Sequence, residues 1–300
     1  MRSDVLNQNS NAYDGRTKPK TIFSWDYINC AAPLVSNLGV SADGVMADGD
    51  KFSMLFPGEN GQLQPTQCCS IAAFTAVGMS PTVQGTIPAT DTNGTAAGLN
   101  LQMDAETNDN TGIEIVWGGS QFGSNSNKFI VGTHSGSIDV TFNSADWTDF
   151  DACFIGFRKV QEFAPGHATV VGTSTGDPLY TDYVAFGCIS PDDVQISSDL
   201  NDSGDTNDTD STEVAGANTG NHRFRIDLSS AGVVTYSHEN AGVMRGGVMA
   251  APSTTQAFTF DDSDILVPYM VVQGTNQNSA VYLKSVDIKR SPAIDGHSVA

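Results

Sequence analysis

Apolar and polar residues alternate with a period of two along much of this chain, a pattern that predicts β-strands. The clearest example is the stretch Asp151–Ser190, which contains DACFIGFRKVQEF and YTDYVAFGCIS. In its first run Cys153, Ile155 and Phe157 share one face, whereas Phe154 lies on the other. Apolar residues on both faces indicate burial on both sides, so these runs are predicted to be central strands of a sandwich.

A half-buried hairpin is predicted in HRFRIDLSSAGVVTYSHE, with Gly232 in its turn. Its apolar residues Phe224, Ile226 and Leu228 alternate with charged neighbours. Weaker alternation predicts further strands: a hairpin pairing 99–103 with 113–117, a second one over 128–142 with its turn at 134–136, a strand at 52–56, and a strand rather than a short helix from Cys68 to Met79.

Two irregularities are predicted near the C-terminal end. Pro268 lacks an N–H group, so its strand is expected at a sheet edge or broken at that residue. The apolar face switches between Leu283 and Val286, which predicts a β-bulge near Lys284 and Ser285.

About a dozen short strands with long connections predict an all-β, antiparallel β-sandwich of jelly-roll or concanavalin-like type, with a closed barrel as the alternative. The 30 glycines and many Asn, Ser, Thr and Asp residues fit such a turn-rich fold. We expect an extended basic N-terminal arm at 1–20, one large sandwich domain at 21–290, and a tail at 291–300. Within the sandwich, 191–222 is predicted to be an exposed acidic loop that tolerates shortening.

The formal net charge of −20 disfavours nucleic acids and anionic membranes as partners. Basic residues concentrate at the start of the chain, at Arg2, Arg16, Lys18 and Lys20. These four residues oppose the charge of the rest of the chain, so they are candidates for contacts with an acidic partner surface. The alternative interpretation is a disordered terminus.

The polar stretch DLNDSGDTNDTD resembles the spacing of a calcium-binding loop. Oxygen-bearing side chains occupy the ligand positions, at Asp199, Asn201, Ser203, Asp205 and Asp210. However, the twelfth position is Asp rather than Glu, and no flanking helices are predicted. A solvated acidic surface loop is the alternative, and calcium is the one cofactor that the sequence raises.

Catalytic patterns are sparse. Glu114 in GIEIVWGG lacks a partner acid at alternate positions, which disfavours a retaining glycosidase. The five histidines are far apart in the sequence and form no metal-binding motif. Nucleophile-elbow and phosphate-loop motifs are missing. We therefore expect a protein that is not an enzyme.

Cysteine usage and the N-terminal sequence bear on location. The five cysteines are an odd number without a C-x-x-C pair, so all five thiols are predicted to be free. The first residues lack the apolar core of a secretory signal, and no apolar stretch is long enough to span a bilayer. Synthesis in a host cytoplasm without a signal peptide is expected.

As a whole, this acidic, Gly/Asn/Thr-rich β-protein resembles virion proteins of tailed bacteriophages, particularly capsid decoration and cement proteins and head or tail appendages. The resemblance extends over the chain and involves no signature motif. It implies a non-enzymatic structural role in the virion, contact with the major capsid protein or another virion protein, and a homo-oligomer such as a trimer.

Two other functions stay open at this stage. A glycan- or receptor-binding module of a phage appendage would present aromatic and amide side chains on a sheet face or loop end. A carbohydrate-active enzyme on a lectin-like sandwich would need paired acids that only the fold brings together.

Overall fold

The computed structural model describes residues 20–26, 34–36, 45–46, 51–55, 68–74, 77–78, 99–100, 111–117, 128–144, 150–161, 180–190, 193–201, 207–214, 220–240, 249–274 and 281–291. Within these ranges the chain consists of strands and their connections. No helix in them is long and apolar enough to cross a membrane.

The described residues form eighteen strands. In chain order they are β1 (Lys20–Asp26), β2 (Leu34–Ser36), β3 (Val45–Met46), β4 (Lys51–Leu55), β5 (Cys68–Phe74), β6 (Val77–Gly78), β7 (Leu99–Asn100), β8 (Thr111–Val116), β9 (Phe129–Ile130), β10 (Gly136–Ser144), β11 (Phe150–Lys159), β12 (Tyr183–Ser190), β13 (Asp193–Asp199), β14 (Asn207–Val214), β15 (Gly220–Leu228), β16 (Val234–Asn240), β17 (Ile265–Gly274) and β18 (Val281–Arg290).

Two antiparallel sheets contain nearly all of these strands. The small sheet has the order β1-β18-β10-β15-β16, and β7 adds to β18. The large sheet has the order β14-β13-β12-β11-β17-β8-β5-β4-β2, and β9 adds to β17. A separate pair is formed by β3 and β6. The order interleaves early and late strands, so most contacts are distant in sequence.

The inner faces of the two sheets pack against each other as one hydrophobic core. Phe186 of the large sheet contacts Phe224 of the small sheet edge-to-face, with ring centroids 5.2 Å apart. Phe142, on the neighbouring strand of the small sheet, has its ring centroid 5.4 Å from that of Phe224. Fully burying a side chain of this size contributes about 1.5–3 kcal/mol. These contacts confirm the predicted antiparallel β-sandwich.

The stretch 151–190 contains central strands, as predicted. β12 pairs with β11, and β11 pairs with β17 on its other side. Cys153, Ile155 and Phe157 face the main core. Phe154 and Tyr183 belong to a second buried cluster on the outer face of the large sheet. Both faces are therefore covered, which explains the apolar residues on each side.

The prediction that 191–222 is one long surface loop is wrong, because this segment contains strands. β13 and β14 lie within it and form the end of the large sheet, and β15 already begins at Gly220. Val194 and Ile196 are fully buried in the main core. The sequence had suggested otherwise because β14 is almost wholly polar. Its Ser211 hydroxyl bonds to the carbonyl of Val194, so side-chain hydrogen bonding supplements the ladder there.

Two predicted hairpins pair differently from expectation. Leu99 and Asn100 join β18 of the small sheet, whereas β8 belongs to the large sheet between β17 and β5. The second predicted hairpin, over 128–142, does not form either: β9 pairs with β17 of the large sheet and not with β10. Alternation identified these strands, but it carries no information on which strand each one joins.

The hairpin of β15 and β16 is confirmed, with residues 229–233 as its turn. Gly232 has φ +81° in that turn, a conformation that favours glycine. The bulge near Lys284 is also confirmed: Thr141 pairs with Ser285 and Phe142 with Leu283, so Lys284 is the extra residue.

Pro268 lies in the centre of the large sheet, neither at an edge nor at a break in β17. Its carbonyl accepts a hydrogen bond from the N–H of Trp117. The return bond would need a Pro268 N–H, so the ladder between β17 and β8 begins one residue later, at Tyr269. On the same side β9 pairs only with Ile265 and Leu266. Proline therefore occupies the gap between two short partners.

The segment 249–260, which we call the strap, joins the edges of the two sheets. At one end Ala250 and His238 exchange backbone hydrogen bonds at the edge of β16, and at the other the carbonyl of Phe258 accepts from the N–H of Val234. Between them the N–H of Thr254 donates to Ser211 in β14. Phe258 and Phe260 are buried in the main core. The strap thus covers one open side of the sandwich.

Three of the five cysteines have described side chains, and these three are buried thiols outside any disulfide: Cys69, Cys153 and Cys188. Cys153 and Cys188 lie directly opposite each other on β11 and β12. Burial and the neighbouring Cys188 raise the pKa of the Cys153 thiol. A thiol held in its protonated form is a poor nucleophile, which fits a packing role.

Candidate functional site

The outer face of the small sheet carries a polar surface organised by strand register. Three transverse rows cross β16, β15, β10 and β18. They are Thr235–Asp227–Ser137–Lys289, then Ser237–Arg225–Asp139–Asp287, then Glu239–Arg223–Thr141–Ser285. Neighbouring strands are about 4.8 Å apart, so one row extends over roughly 14 Å.

Arginine–carboxylate pairs fix several side chains of this face. Arg223 donates to both oxygens of Asp139, from Nε at 2.8 Å and from Nη2 at 2.7 Å. Arg225 makes the same two-pronged contact with Asp227, at 2.9 and 2.5 Å. Such parallel hydrogen bonds hold planar groups in defined orientations. These pairs therefore present preset donors and acceptors to solvent.

A cleft of about 400 Å³ opens at the first row. Its charged residues are Arg225, Asp227 and Lys289, and hydroxyl groups line it as well. Val233, which is 44% exposed, adds apolar surface. Beside it, a smaller cavity of about 140 Å³ lies between Asp139, Arg223, Ser285 and Asp287. We call the 400 Å³ cleft the face cleft.

Two carboxylates of this face lie directly opposite each other, Asp139 on β10 and Asp287 on β18. Facing carboxylates repel, but both are compensated by cations. Arg223 occupies both oxygens of Asp139, and Lys289 lies 3.0 Å from Oδ2 of Asp287. A glycosidase needs one carboxyl group that holds a proton and another that is free to attack or to activate water. This pair is arranged instead for ion pairing.

Glu114, the strand acid singled out in the sequence, lies on the opposite side of the molecule. It is 1% exposed on the outer face of the large sheet. Arg158 donates to its Oε1 from Nε at 3.0 Å and Nη2 at 2.7 Å, and the Tyr180 hydroxyl donates to Oε2 at 2.6 Å. The Arg158 guanidinium also stacks 4.2 Å from the centre of the Tyr180 ring. Glu114 is therefore enclosed in a structural network.

The described members of the predicted calcium loop do not converge. Asp199 ends β13, and its Oδ1 accepts from the Leu200 N–H. Asp210 lies in β14 opposite Gln195, four residues back along β13. At roughly 3.3 Å per residue this separates the two strand positions by about 13 Å.

The other members of that loop give no ion-binding arrangement within the described chain. The Asn201 side chain donates to Asp261, and Ser203 and Asp205 lie outside the described residues. No group of three or more His, Cys, Asp or Glu side chains suited to a metal occurs in the ranges described above. Calcium stays a prediction without a geometric basis in those residues.

Of the predicted basic arm, only Lys20 falls on described residues. It is the first residue of β1 and pairs with Arg290 across the sheet, so the ordered sheet includes the last residue assigned to the arm. Arg2, Arg16 and Lys18 lie outside the described residues. Their proposed contact with an acidic partner stays a prediction.

The structure brings together two histidines that are well separated in sequence. The rings of His222 on β15 and His238 on β16 stack at 10° with Nδ1 and Nε2 3.2 Å apart. Both are buried on the inner face of the small sheet, beside Phe224. Burial lowers the pKa of His238 to about 4. The two stacked rings are thus part of the core packing.

The sequence pattern did not predict that the residues of the face cleft come together. The alternation of Arg223, Arg225 and Asp227 with apolar residues identified an exposed strand face. Their partners Asp139, Lys289 and Thr235 lie on other strands, and only the register aligns them. A signal was present in the matching polar alternation of β10 and β18.

No protein-family model matches the chain, and no curated protein is similar to it in sequence. Solved structures with a similar arrangement include the lectin of Bauhinia forficata in complex with GalNAc, at 14% identity and a TM-score of 0.41, covering 91% of this chain and 98% of the lectin. Peanut lectin has 13% identity and a TM-score of 0.42, with coverages of 87% and 98%. A protein of unknown function from Shewanella oneidensis has 10% identity and a TM-score of 0.43, with coverages of 97% and 94%.

Proposed function

We propose that this protein is a non-enzymatic carbohydrate-binding β-sandwich and that the sugar occupies the face cleft. The observation that carries the proposal is the combination of fixed hydrogen-bonding groups with apolar surface in one cleft. Sugars present hydroxyl groups that donate and accept together with apolar C–H faces. Arg225 and Asp227 supply oriented donors and acceptors, and the exposed side chain of Val233 supplies the apolar contact.

The size and the charge of the face cleft support the same ligand class. Its volume of about 400 Å³ falls within the range of small-molecule sites. Arg225 is paired with Asp227, and Lys289 with Asp287, so no strong excess of one charge sign attracts an ion. A neutral polyol replaces water at these groups without demanding that an ion pair be broken.

A binding role is favoured over catalysis by the way the carboxylates are used. Glu114 is enclosed by Arg158 and Tyr180, and Asp139 is held at both oxygens by Arg223. Neither has the partner geometry of a general acid with a nucleophile. Glycan turnover by this protein is therefore not part of the proposal.

A location in a virus particle is a second proposal, and it rests on the resemblance of the sequence to phage virion proteins. The strongly negative chain and the turn-rich sandwich support it. In that setting the face cleft would serve adhesion of an appendage to a glycan on the host surface. Mass spectrometry of purified particles tests it: peptides of this protein in particles support the location, and their absence from particles of a producing culture contradicts it.

A glycan array tests the carbohydrate proposal. We expect the purified protein to bind a subset of neutral glycans. Arg225→Ala should reduce that binding at least about tenfold, because the variant removes the guanidinium N–H groups that are not used by Asp227 and also releases the Asp227 carboxylate from its fixed orientation. The same glycans are also incubated with the protein and analysed for cleavage products, and no cleavage is expected. An array without any bound glycan contradicts the proposal, and release of shortened sugars contradicts its non-enzymatic part.

A further inference from the structure

A second cleft, of about 330 Å³, lies between β16 and the strap. We call it the strap cleft. The strap contributes Thr255, Gln256 and Phe258 among other residues, and β16 contributes Tyr236. Thr255 is exposed and Gln256 is half-buried, so hydroxyl and amide groups border the opening. The cavity thus has the same mixture of polar and apolar lining as the face cleft, but without its ion pairs.

The strap cleft exists because the strap is longer than the edge that it follows. Its two anchor points pair His238 with Ala250 and Val233 with Thr259. Five residue steps separate these points on β16, against nine on the strap. The surplus bends away towards β14, where Thr254 and Gln256 make hydrogen bonds. A gap is therefore left beside the middle of β16.

The backbone of β16 is open within this gap. The N–H groups of Val234 and His238 donate to the strap, so the groups of Tyr236, two residues from each, point to the same side. No backbone hydrogen bond joins the N–H or C=O of Tyr236 to the described strap. The buried Tyr236 hydroxyl is also without a hydrogen-bond partner among the described residues. One donor and one acceptor on the strand edge thus face the strap cleft without a partner among the described residues.

The two clefts share a wall. Val233 and Thr235 line both of them, on the side chains of β16 that point outward from the core. Val233 is 44% exposed, and Thr235 is also exposed. The path from Lys289 along the first row therefore continues over the sheet edge into the strap cleft.

We propose that the face cleft and the strap cleft bind consecutive units of one linear, uncharged oligosaccharide. This inference rests on the proposed function and specifies its ligand. A single sugar would fill only one cleft, whereas a chain crossing Val233 and Thr235 contacts both. Hydroxyl groups can donate to and accept from Tyr236 at once, which satisfies the open strand edge.

The requirement for an uncharged ligand follows from the strap cleft. Its described lining residues include no Asp, Glu, Lys, Arg or His. A carboxylate or sulfate placed there would lose its hydration without gaining a counter-charge, which is unfavourable. The overall charge of −20 adds repulsion of polyanions.

Titration of the intact protein with ladders of neutral glucan and mannan oligosaccharides tests the inference. Two-, four- and six-unit chains are compared, with a uronic-acid ladder as the charged counterpart. We expect affinity to rise at least about tenfold from two to six units in one neutral ladder. The doubly substituted Thr255→Ala, Gln256→Ala protein should lose this gain while keeping its affinity for two units. Val160→Ala, at an exposed site of the large sheet, is the matched control and should change neither.

The outcomes separate the two levels of the proposal. Equal affinity for two and six units overturns the extended site but leaves the face cleft as a sugar site. An unchanged gain in the strap variant overturns the role of the strap cleft. Tighter binding of the uronic-acid ladder overturns the uncharged ligand, and binding of an extended peptide in place of every sugar overturns the ligand class. If no oligosaccharide of any length binds, the proposed function fails as well. Thermal denaturation of the strap variant tests whether it folds. Folding is expected, because Thr255 is exposed and Gln256 is half-buried, so neither change removes a core side chain.

Discussion

The outer faces of the two sheets each carry an arginine–carboxylate ion pair, but the two pairs have different roles. In each pair two guanidinium nitrogens donate hydrogen bonds to the carboxylate. The pair on the large sheet is Arg158 with Glu114, and the pair on the small sheet is Arg225 with Asp227. The first pair is 4% and 1% exposed, and the second is 35% and 37% exposed. Burial, not the identity of the residues, separates them.

This difference decides what each pair contributes. In the large sheet, Tyr180, Tyr269 and Phe154 form a buried cluster that encloses the ion pair. Breaking a pair in such surroundings leaves a charge without water or counter-ion. On the small sheet, water already solvates the pair, so a ligand can replace that water. An arginine–carboxylate motif therefore indicates a binding site only where its surroundings are open.

The largest expected effect comes from breaking the buried pair. Glu114→Gln removes the charge that compensates Arg158 and should lower the free energy of unfolding by about 3–5 kcal/mol. Denaturant unfolding followed by tryptophan fluorescence measures it. Asp227→Asn makes the same chemical change in the exposed pair and should cost less than about 1 kcal/mol. Equal losses in the two variants would show that burial does not distinguish the two faces.

A second large effect is expected at the end of the large sheet that had been predicted as a loop. Ile196→Ala should destabilise the protein by roughly 2–5 kcal/mol, because the side chain is fully buried between the sheets. Ile265→Ala removes the same atoms from a side chain that is 44% exposed and should cost much less. A negligible effect of Ile196→Ala in urea unfolding would restore the view of 191–222 as an expendable segment.

The inner face of the small sheet should respond to acid more than its outer face does. Burial depresses the pKa of His238 from 6.5 to about 4, so the folded protein binds this proton less readily than the unfolded chain. The associated stability is fully present above pH 6.5 and is lost as the pH falls towards 4, by up to roughly 3 kcal/mol. His238→Phe should remove that part of the pH dependence. Parallel curves for the two proteins between pH 6.5 and 4 would contradict this account.

The sequence predicted the elements that depend on one strand at a time. Double-sided burial of 151–190, the hairpin of β15 and β16, and the bulge at Lys284 all follow from local alternation. Partner choice does not, because it depends on loop closure and on the packing of the whole core. Thus Leu99 joined β18 instead of β8, and Pro268 found a central position between two short strands.

The candidate site shows the same limit. Arg223, Arg225 and Asp227 were recognised as an exposed strand face, but their register with Asp139, Thr235 and Lys289 creates the cleft. The polar composition of β14 also concealed a strand, since Ser211 bonds to the backbone where an apolar residue would pack. Composition indicates the average solvent exposure of a segment, whereas a binding site depends on which particular side chains are in contact.

The central claim is that the exposed pair on the small sheet contacts a neutral sugar. Calorimetric titration with the best-binding array glycan tests it most directly, using wild-type protein, Asp227→Ala and the control Asp261→Ala. Asp261 is an exposed aspartate whose side chain accepts a hydrogen bond from Asn201. Both variants therefore remove one exposed, hydrogen-bonded carboxylate. We predict at least about tenfold weaker binding for Asp227→Ala, with the unfolding midpoint nearly unchanged, and wild-type binding for Asp261→Ala. Wild-type affinity in Asp227→Ala would contradict the account and remove the ligand from the face cleft.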